Sequence, residues 1–297
     1  MKFRFHSTLT TLFLLLFLML FLPPEAGGSD PPARRIVSLA PSITETLFAI
    51  GAGERIAGVT DHDVFPDCVR SIPSVGGYFD PSLERILSLS PDLVIGIATF
   101  HSRLMERLES LGVQTLPLTL HRGLDGVRGS VLELGAYLGL DERSQGVWNG
   151  IEEELESVRM DVASLFPGGP PSLLVVVWHD PLTVAGGVNY IDDILGKIGI
   201  PNAASDIRYT FPQVDPEGIV SRDPDVILVP RTEKGMSLSP RDLADALEGF
   251  PIRAVKKGRI AVVSADLLFH PGPRVGEAAR SLLDAAMLFF GDGYEED

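Results

Sequence analysis

The chain has 297 residues, 45% of them hydrophobic, and a formal net charge of −15 at pH 7. A chain of this length and apolar content can bury the cores of two domains. Because an acidic protein repels the phosphate backbone, nucleic acid is excluded as a partner class. Cys68 is the only cysteine, which rules out an internal disulfide, so packed cores must stabilise the fold.

Residues 1–28 are predicted to form a secretory signal peptide. Lys2 and Arg4 precede an apolar segment from Leu9 to Leu22, and small residues follow near Ala26 to Gly28. A basic start, a short apolar segment and a small-residue cleavage zone are typical of such signals. The apolar segment is short for a membrane span, although an uncleaved anchor is the alternative interpretation. We therefore expect an exported mature chain in the periplasm or another extracytoplasmic space.

Two segments of the chain are copies of each other. The first covers residues 83–95 and the second covers residues 216–228, so that Glu84 aligns with Glu217. Each has apolar residues at helical spacing, then a Pro-Asp pair, then a run that is apolar on both faces. This pattern predicts a short helix, a turn and a covered parallel strand. A repeat of such long period indicates a duplicated domain.

The order of the predicted elements favours an α/β fold, in which two parallel-sheet lobes are joined by a long helix. Strands and helices alternate in an N-terminal lobe at 34–140 and in a C-terminal lobe at 172–292. Between them, 141–167 has apolar residues at three- or four-residue spacing, which predicts one long helix. This connection contains no Gly/Ser linker, so we expect a stiff rod. Ser42 and Glu45 fit a helix capping box.

Several candidate ligand-binding residues follow predicted strands, and Phe100 and His101 are expected in a loop at such a strand end. In open α/β sheets, ligands bind beyond the carboxyl ends of the strands. Tyr78 and Phe211 stand before the two copies of the repeat, and flat rings from opposing lobes suit a large planar or macrocyclic ligand. Each aromatic residue could instead belong to the core. The candidates are Pro41, Tyr78, Phe100, His101, Trp178, His179, Phe211 and His270.

The sequence contains no catalytic signature. Gly-rich phosphate loops, CxxC, HExxH and GxSxG are absent, and Cys68 lies in a polar loop without an evident base. A secreted metal-dependent enzyme and a site for a bare metal ion remain alternatives. His101 and His270 are the candidates for contact with a metal. We expect no catalysis and no cofactor apart from the bound ligand.

Glu84 and Glu217 are the predicted docking residues. One exposed glutamate on a helix needs no function. Two glutamates at equivalent places in two lobes form a pseudo-symmetric pair of charges, which suits a pseudo-twofold partner with cationic pockets.

Several of these motifs together resemble a known family. Four segments resemble periplasmic substrate-binding proteins of ABC importers, namely Arg35 to Glu45, Gly58 to Thr60, Leu83 to Ile86 and Pro91 to Ile95. The similar subgroup has a helical backbone between its lobes (class III) and serves vitamin B12, haem and ferric siderophores. The resemblance implies a ligand held between two α/β lobes. It also implies one glutamate per lobe that docks into arginines of the membrane permease.

Within this subgroup, the vitamin B12-binding members are the most similar. The resemblance implies that Tyr78 and Phe211 contact the corrin in place of tryptophans, and that the segment from His270 to Arg274 faces the ligand. His101 and His270 are additional imidazoles that could coordinate haem iron. We therefore expect a monomer that binds cobalamin, with haem or a ferric siderophore as alternatives. The expected partner is a permease dimer, with its ATPase subunits acting indirectly.

Overall fold

A computed structural model describes residues 33–120, 122–231 and 239–290. The predicted signal peptide lies outside these residues. In the ranges described, no helix is long and apolar enough to cross a membrane. The chain from Ala33 onward forms one compact unit, so the predicted boundaries between lobes stay a prediction.

The first lobe is built on a four-stranded parallel sheet. Its elements are β1 (Ile36–Ser38), α1 (Pro41–Ala49), β2 (Ile56–Gly58), α2 (Leu83–Ser88), β3 (Leu93–Ile97), α3 (Ala98–Ser110) and β4 (Gln114–Leu118). The strand order is β2-β1-β3-β4. Every residue of β1 and β3 is buried, because helices cover both faces of a parallel sheet.

Two helices connect the lobes, α4 (Gly123–Leu138) and α5 (Asp141–Leu165). The predicted long helix is confirmed: α5 has 25 residues, which at a rise of 1.5 Å per residue spans about 37 Å. Its apolar stripe packs into the core of the second lobe. The stripe consists of Trp148, Ile151, Leu155, Val158 and Val162.

The second lobe repeats the arrangement of the first with one change. Its elements are β5 (Leu173–His179), β6 (Leu182–Val184), α6 (Tyr190–Ile198), α7 (Pro216–Arg222), β7 (Val226–Arg231), α8 (Pro240–Ala246), α9 (Arg253–Lys256), β8 (Ile260–Ser264), α10 (Ala265–Phe269) and α11 (Val275–Phe290). The strand order is β6-β5-β7-β8. Strands β5, β7 and β8 are parallel, as expected, but β6 is antiparallel to β5. A turn of two residues can join only antiparallel strands.

The repeat has a structural cause. Strands β3 and β7 are the third strands of their sheets, and each follows a Pro-Asp turn. The carboxylate of Asp92 accepts hydrogen bonds from the N–H groups of Arg34 (2.9 Å) and Arg35 (3.0 Å). Asp225 accepts one from the N–H of Ser172 (2.9 Å) in the same way. Each aspartate therefore ties its turn to the start of the neighbouring strand, which stabilises the sheet.

Two local predictions are wrong. Helix α1 begins at Pro41, and its cap residue Ala40 makes no capping hydrogen bond through its side chain, so Ser42 and Glu45 form no capping box. Proline fits the first helical turn because it lacks the N–H that would have no partner there. Phe100 and His101 were expected in a loop, but they lie in the first turn of α3, which follows β3 without a break.

Candidate functional site

A cavity of about 770 Å³ lies between the lobes. On the first lobe its wall follows the carboxyl ends of all four strands, with Pro41 after β1, His62 after β2, Phe100 after β3 and Arg122 after β4. This is the place where open α/β sheets bind ligands. Its size falls within the roughly 300–1,000 Å³ of small-molecule sites. The second lobe contributes seven residues: Val177, Asn189, Tyr190, Thr210, Phe211, Phe269 and His270.

Aromatic rings from both lobes line this cavity. Tyr78, Phe79 and Phe100 pack edge to face, with ring centroids 4.6 Å apart for Tyr78 and Phe79 and 5.6 Å apart for the other two pairs. Phe79 is 75% exposed, and Phe211 of the second lobe is 43% exposed. Burial raises the pKa of the Tyr78 phenol well above its usual value. Four of the predicted ligand-binding residues thus line the cavity: Pro41, Tyr78, Phe100 and Phe211.

His101 was predicted to bind the ligand, but the structure places its side chain elsewhere. Its side chain is buried and does not line the cavity. Nδ1 accepts the N–H of Ile97 (2.9 Å), and Nε2 lies 2.7 Å from the carbonyl oxygen of Tyr78, to which it donates. Burial lowers the pKa of this imidazole, partly offset by the bond to Tyr78. A neutral ring with both nitrogens bonded to backbone has no lone pair left for a metal. In this structure His101 holds the backbone of Tyr78.

Trp178 and His179 are the last two residues of β5, and neither lines the cavity. Val177 is the β5 residue that lines the cavity, and the pairing of β5 with β6 is irregular between Val176 and Trp178. The indole Nε1 of Trp178 donates to the carbonyl oxygen of Asp180 at 2.7 Å. The sequence predicted the strand but not which of its residues line the cavity.

A buried ion pair joins the two lobes beside the cavity. The Nε of Arg274, just before α11, donates to Glu45 Oε2 on α1 at 2.8 Å, and an Nη donates to Oε1 at 2.6 Å. The side chains are 13% and 1% exposed. Arg274 also lies 4.3 Å from the ring centroid of Phe65. The residues are 229 positions apart, and no local sequence pattern signals their pairing.

His270 lines the cavity next to this pair. Its Nδ1 is 3.7 Å from Glu45 Oε1 and has no hydrogen-bond partner. Tyr190 is fully buried nearby, and burial together with the charge of Glu45 raises the pKa of its phenol. Burial also raises the pKa of Asp63, although hydrogen bonds from Thr44 and Thr60 oppose this shift. In the part of the chain that the structure describes, no three His, Cys, Asp or Glu side chains are grouped to hold a metal ion.

The fold and the cavity agree with a comparison against known families. The family model described as "Periplasmic binding protein" matches residues 36–267. The chain belongs to this family. The resemblance to substrate-binding proteins of ABC importers, seen in the sequence, is thereby confirmed.

Curated relatives cover most of the chain. The uncharacterized ABC transporter substrate-binding lipoprotein YvrC of Bacillus subtilis is 27% identical over 257 residues, which cover 85% of this chain and 79% of that protein. The vitamin B12-binding protein of Vibrio cholerae is 25% identical over 263 residues, which cover 88% and 92% of the two chains.

Solved structures share the fold. The periplasmic heme-binding protein RhuT of Roseiflexus sp. RS-1 has a TM-score of 0.76 and 28% identity, covering 86% of this chain and 98% of that chain. The periplasmic vitamin B12-binding protein BtuF of Vibrio cholerae has a TM-score of 0.68 and 24% identity, with the same coverage.

Glu84 and Glu217 occupy equivalent places in the two lobes. Each is exposed and is the second residue of its helix, α2 or α7. The caps are also equivalent, since Ser82 accepts the N–H of Arg85 and Asp215 accepts the N–H of Gly218. The structure thus confirms that the two glutamates correspond, and their docking role stays a prediction.

Proposed function

We propose that this protein binds cobalamin between its lobes and delivers it to the permease of an ABC importer. The observation that carries the proposal is the cavity between the lobes, with Tyr78, Phe79 and Phe100 on one wall and Phe211 on the other. Aromatic faces bury a large apolar macrocycle without requiring many polar partners. Relatives named as vitamin B12-binding proteins support the choice of a corrinoid.

We propose that the protein acts outside the cytoplasm and catalyses no reaction. Its family consists of binding proteins. The described residues that line the cavity include no cysteine and no carboxylate, so no nucleophile of either kind faces the ligand. In this proposal Glu84 and Glu217 dock on the permease dimer through basic residues of the partner.

Haem is the second candidate, and one observation favours it. His270 lines the cavity, and its imidazole is not bonded to backbone through both nitrogens as that of His101 is. Imidazole is an axial ligand of haem iron. The similarity to RhuT, named as heme-binding, supports this alternative.

Calorimetric titration of the purified chain tests both candidates. Cyanocobalamin, hemin and a ferric siderophore are titrated separately. Submicromolar binding of cyanocobalamin with weak or no binding of the others would support the first proposal. Binding of hemin, seen also as a shift of the Soret absorption band, with no heat from cyanocobalamin would refute it in favour of haem. Heat with the siderophore alone would refute both.

A further inference from the structure

The cavity has a different charge from the protein that surrounds it. The chain has 40 acidic and 25 basic residues. Even so, no aspartate or glutamate lines the cavity among the described residues, whereas Arg122 does, together with the imidazoles of His62 and His270. A low-dielectric cleft lined by one sign of charge concentrates ligands of the opposite sign.

Arg122 is not used for structural pairing. None of the ion pairs found among residues 33–120, 122–231 and 239–290 involves it. Asp193 reaches the same turn, but its Oδ2 accepts the N–H of Leu124 at 2.9 Å. The side chain of Arg122 is exposed and makes no capping bond to α4. Its guanidinium therefore has all its donors available for a ligand.

The guanidinium of Arg122 and the imidazole of His62 belong to residues that follow opposite edge strands of the first sheet. Arg122 follows β4 and His62 follows β2, which are the two edge strands of the order β2-β1-β3-β4. Three strand spacings separate these edges, or about 14 Å. His270 lies beside Glu45 on α1, which follows β1 next to the edge strand β2. A bound ligand therefore meets imidazoles toward one side and a guanidinium toward the other.

We infer that the cavity selects a metal chelate that carries an oxyanion, carboxylate or phosphate, at its edge, and that Arg122 binds this group. The inference rests on the proposed function, because it concerns the ligand of the same cavity. A guanidinium donates two parallel hydrogen bonds to a carboxylate or phosphate, which gives both orientation and affinity. The apolar rings hold the macrocycle, and Arg122 distinguishes ligands by the charge on their periphery.

Two pairs of probes test the inference. Cyanocobalamin carries a phosphate that dicyanocobinamide lacks, and hemin carries two carboxylates that are neutral esters in hemin dimethyl ester. Each probe is titrated into the wild-type protein, into Arg122→Gln and into Arg128→Gln. Arg128 is the matched control because it is exposed on α4, the helix that begins directly after Arg122, and does not line the cavity.

We expect Arg122→Gln to reduce the preference for the oxyanion in at least one pair by about 10-fold, since a hydrogen bond to a charged group contributes roughly 1.5 kcal/mol or more. Affinity for the neutral probe should stay within about 2-fold, which also shows that the variant is folded. Loss in the cobalamin pair alone identifies phosphate as the group, and loss in the hemin pair alone identifies carboxylate.

Four results would overturn the inference. Equal weakening of both members of a pair would mean that Arg122 contributes packing alone. The same loss in Arg128→Gln would mean a long-range effect of net charge. If the wild-type protein binds none of the four probes, the proposed function fails together with the inference, whereas binding without a change in Arg122→Gln refutes the inference alone.

Discussion

Removing the cation of the interlobe ion pair should strongly destabilise the protein. In Arg274→Met, the Glu45 carboxylate, 1% exposed, loses both hydrogen bonds and its counter-charge. Breaking a buried pair on one side costs about 3–5 kcal/mol, because the remaining charge stays buried without compensation. The lost contact with the Phe65 ring adds roughly 0.5–1 kcal/mol. A loss of about 4 kcal/mol corresponds to a fall in Tm of roughly 8–16 °C for a chain of this size.

The assay is urea unfolding followed by circular dichroism, with thermal unfolding as a second measure. Arg159→Met is the matched control, because Arg159 pairs with Glu156 on the surface, where the side chains are 48% and 57% exposed. Such a pair contributes about 0–1 kcal/mol. The double variant Glu45→Gln with Arg274→Met should recover part of the loss, since no charge then remains buried.

Equal stability of Arg274→Met and Arg159→Met would refute this reasoning. It would mean that water reaches Glu45 once the arginine is gone, so that the carboxylate is not desolvated. A double variant that is less stable than Arg274→Met alone would refute the explanation by uncompensated charge, and would indicate that the shape of the Glu45 side chain matters more.

Three further predictions follow from the site. Burial lowers the pKa of His101 below its value of 6.5 in the unfolded chain, so the unfolded chain binds the proton more readily. This part of the folding stability is therefore lost as the pH falls through about 6.5. The urea midpoint of His101→Gln should change less between about pH 7.5 and about pH 5.5 than that of the wild type. Phe211→Ala should weaken binding of the macrocycle about 10-fold or more in calorimetry, while Trp178→Ala should leave it unchanged because its indole lies outside the cavity. Glu84→Ala with Glu217→Ala should abolish permease-dependent uptake in a reconstituted importer and leave the ligand affinity intact.

Each of these predictions can fail in a distinct way. An unchanged pH slope in His101→Gln would show that this imidazole is not the group whose protonation destabilises the fold. Equal losses in the Phe211 and Trp178 variants would indicate damage to the second lobe and not a ligand contact. For the docking pair, Glu106→Ala with Glu152→Ala removes the same charge from exposed helix positions, and a similar loss of uptake there would rule out a specific role.

Much of the fold could be predicted because it depends on local patterns. The apolar spacing in α5 specifies a helix that is buried along one stripe, and the structure has this helix with the predicted start. The Pro-Asp pairs recur because Asp92 and Asp225 accept backbone hydrogen bonds at equivalent turns. These interactions form between segments of the same kind in each lobe, so their signature appears twice in the sequence.

Other features were decided by tertiary packing. The pattern of β5 predicts a strand but does not say which of its residues meet the cavity, and the structure places Val177 in the lining and leaves Trp178 out of it, at an irregular point in the pairing with β6. The sequence shows His101 next to Phe100 after a strand. Packing alone decides that one ring lines the cavity and the other bonds to backbone on both sides.

The sequence by itself determined the α/β class, the duplicated unit, the long connecting helix and the pair Glu84 and Glu217, because each is written in residues close together or in a repeat of them. The tertiary structure alone decided the pairing of Glu45 with Arg274 and the position of Arg122 in a cavity free of acids among its described lining residues. The physical reason is that charge pairing and side-chain direction depend on distances in space. Residues far apart in the chain become neighbours only when the two lobes pack together.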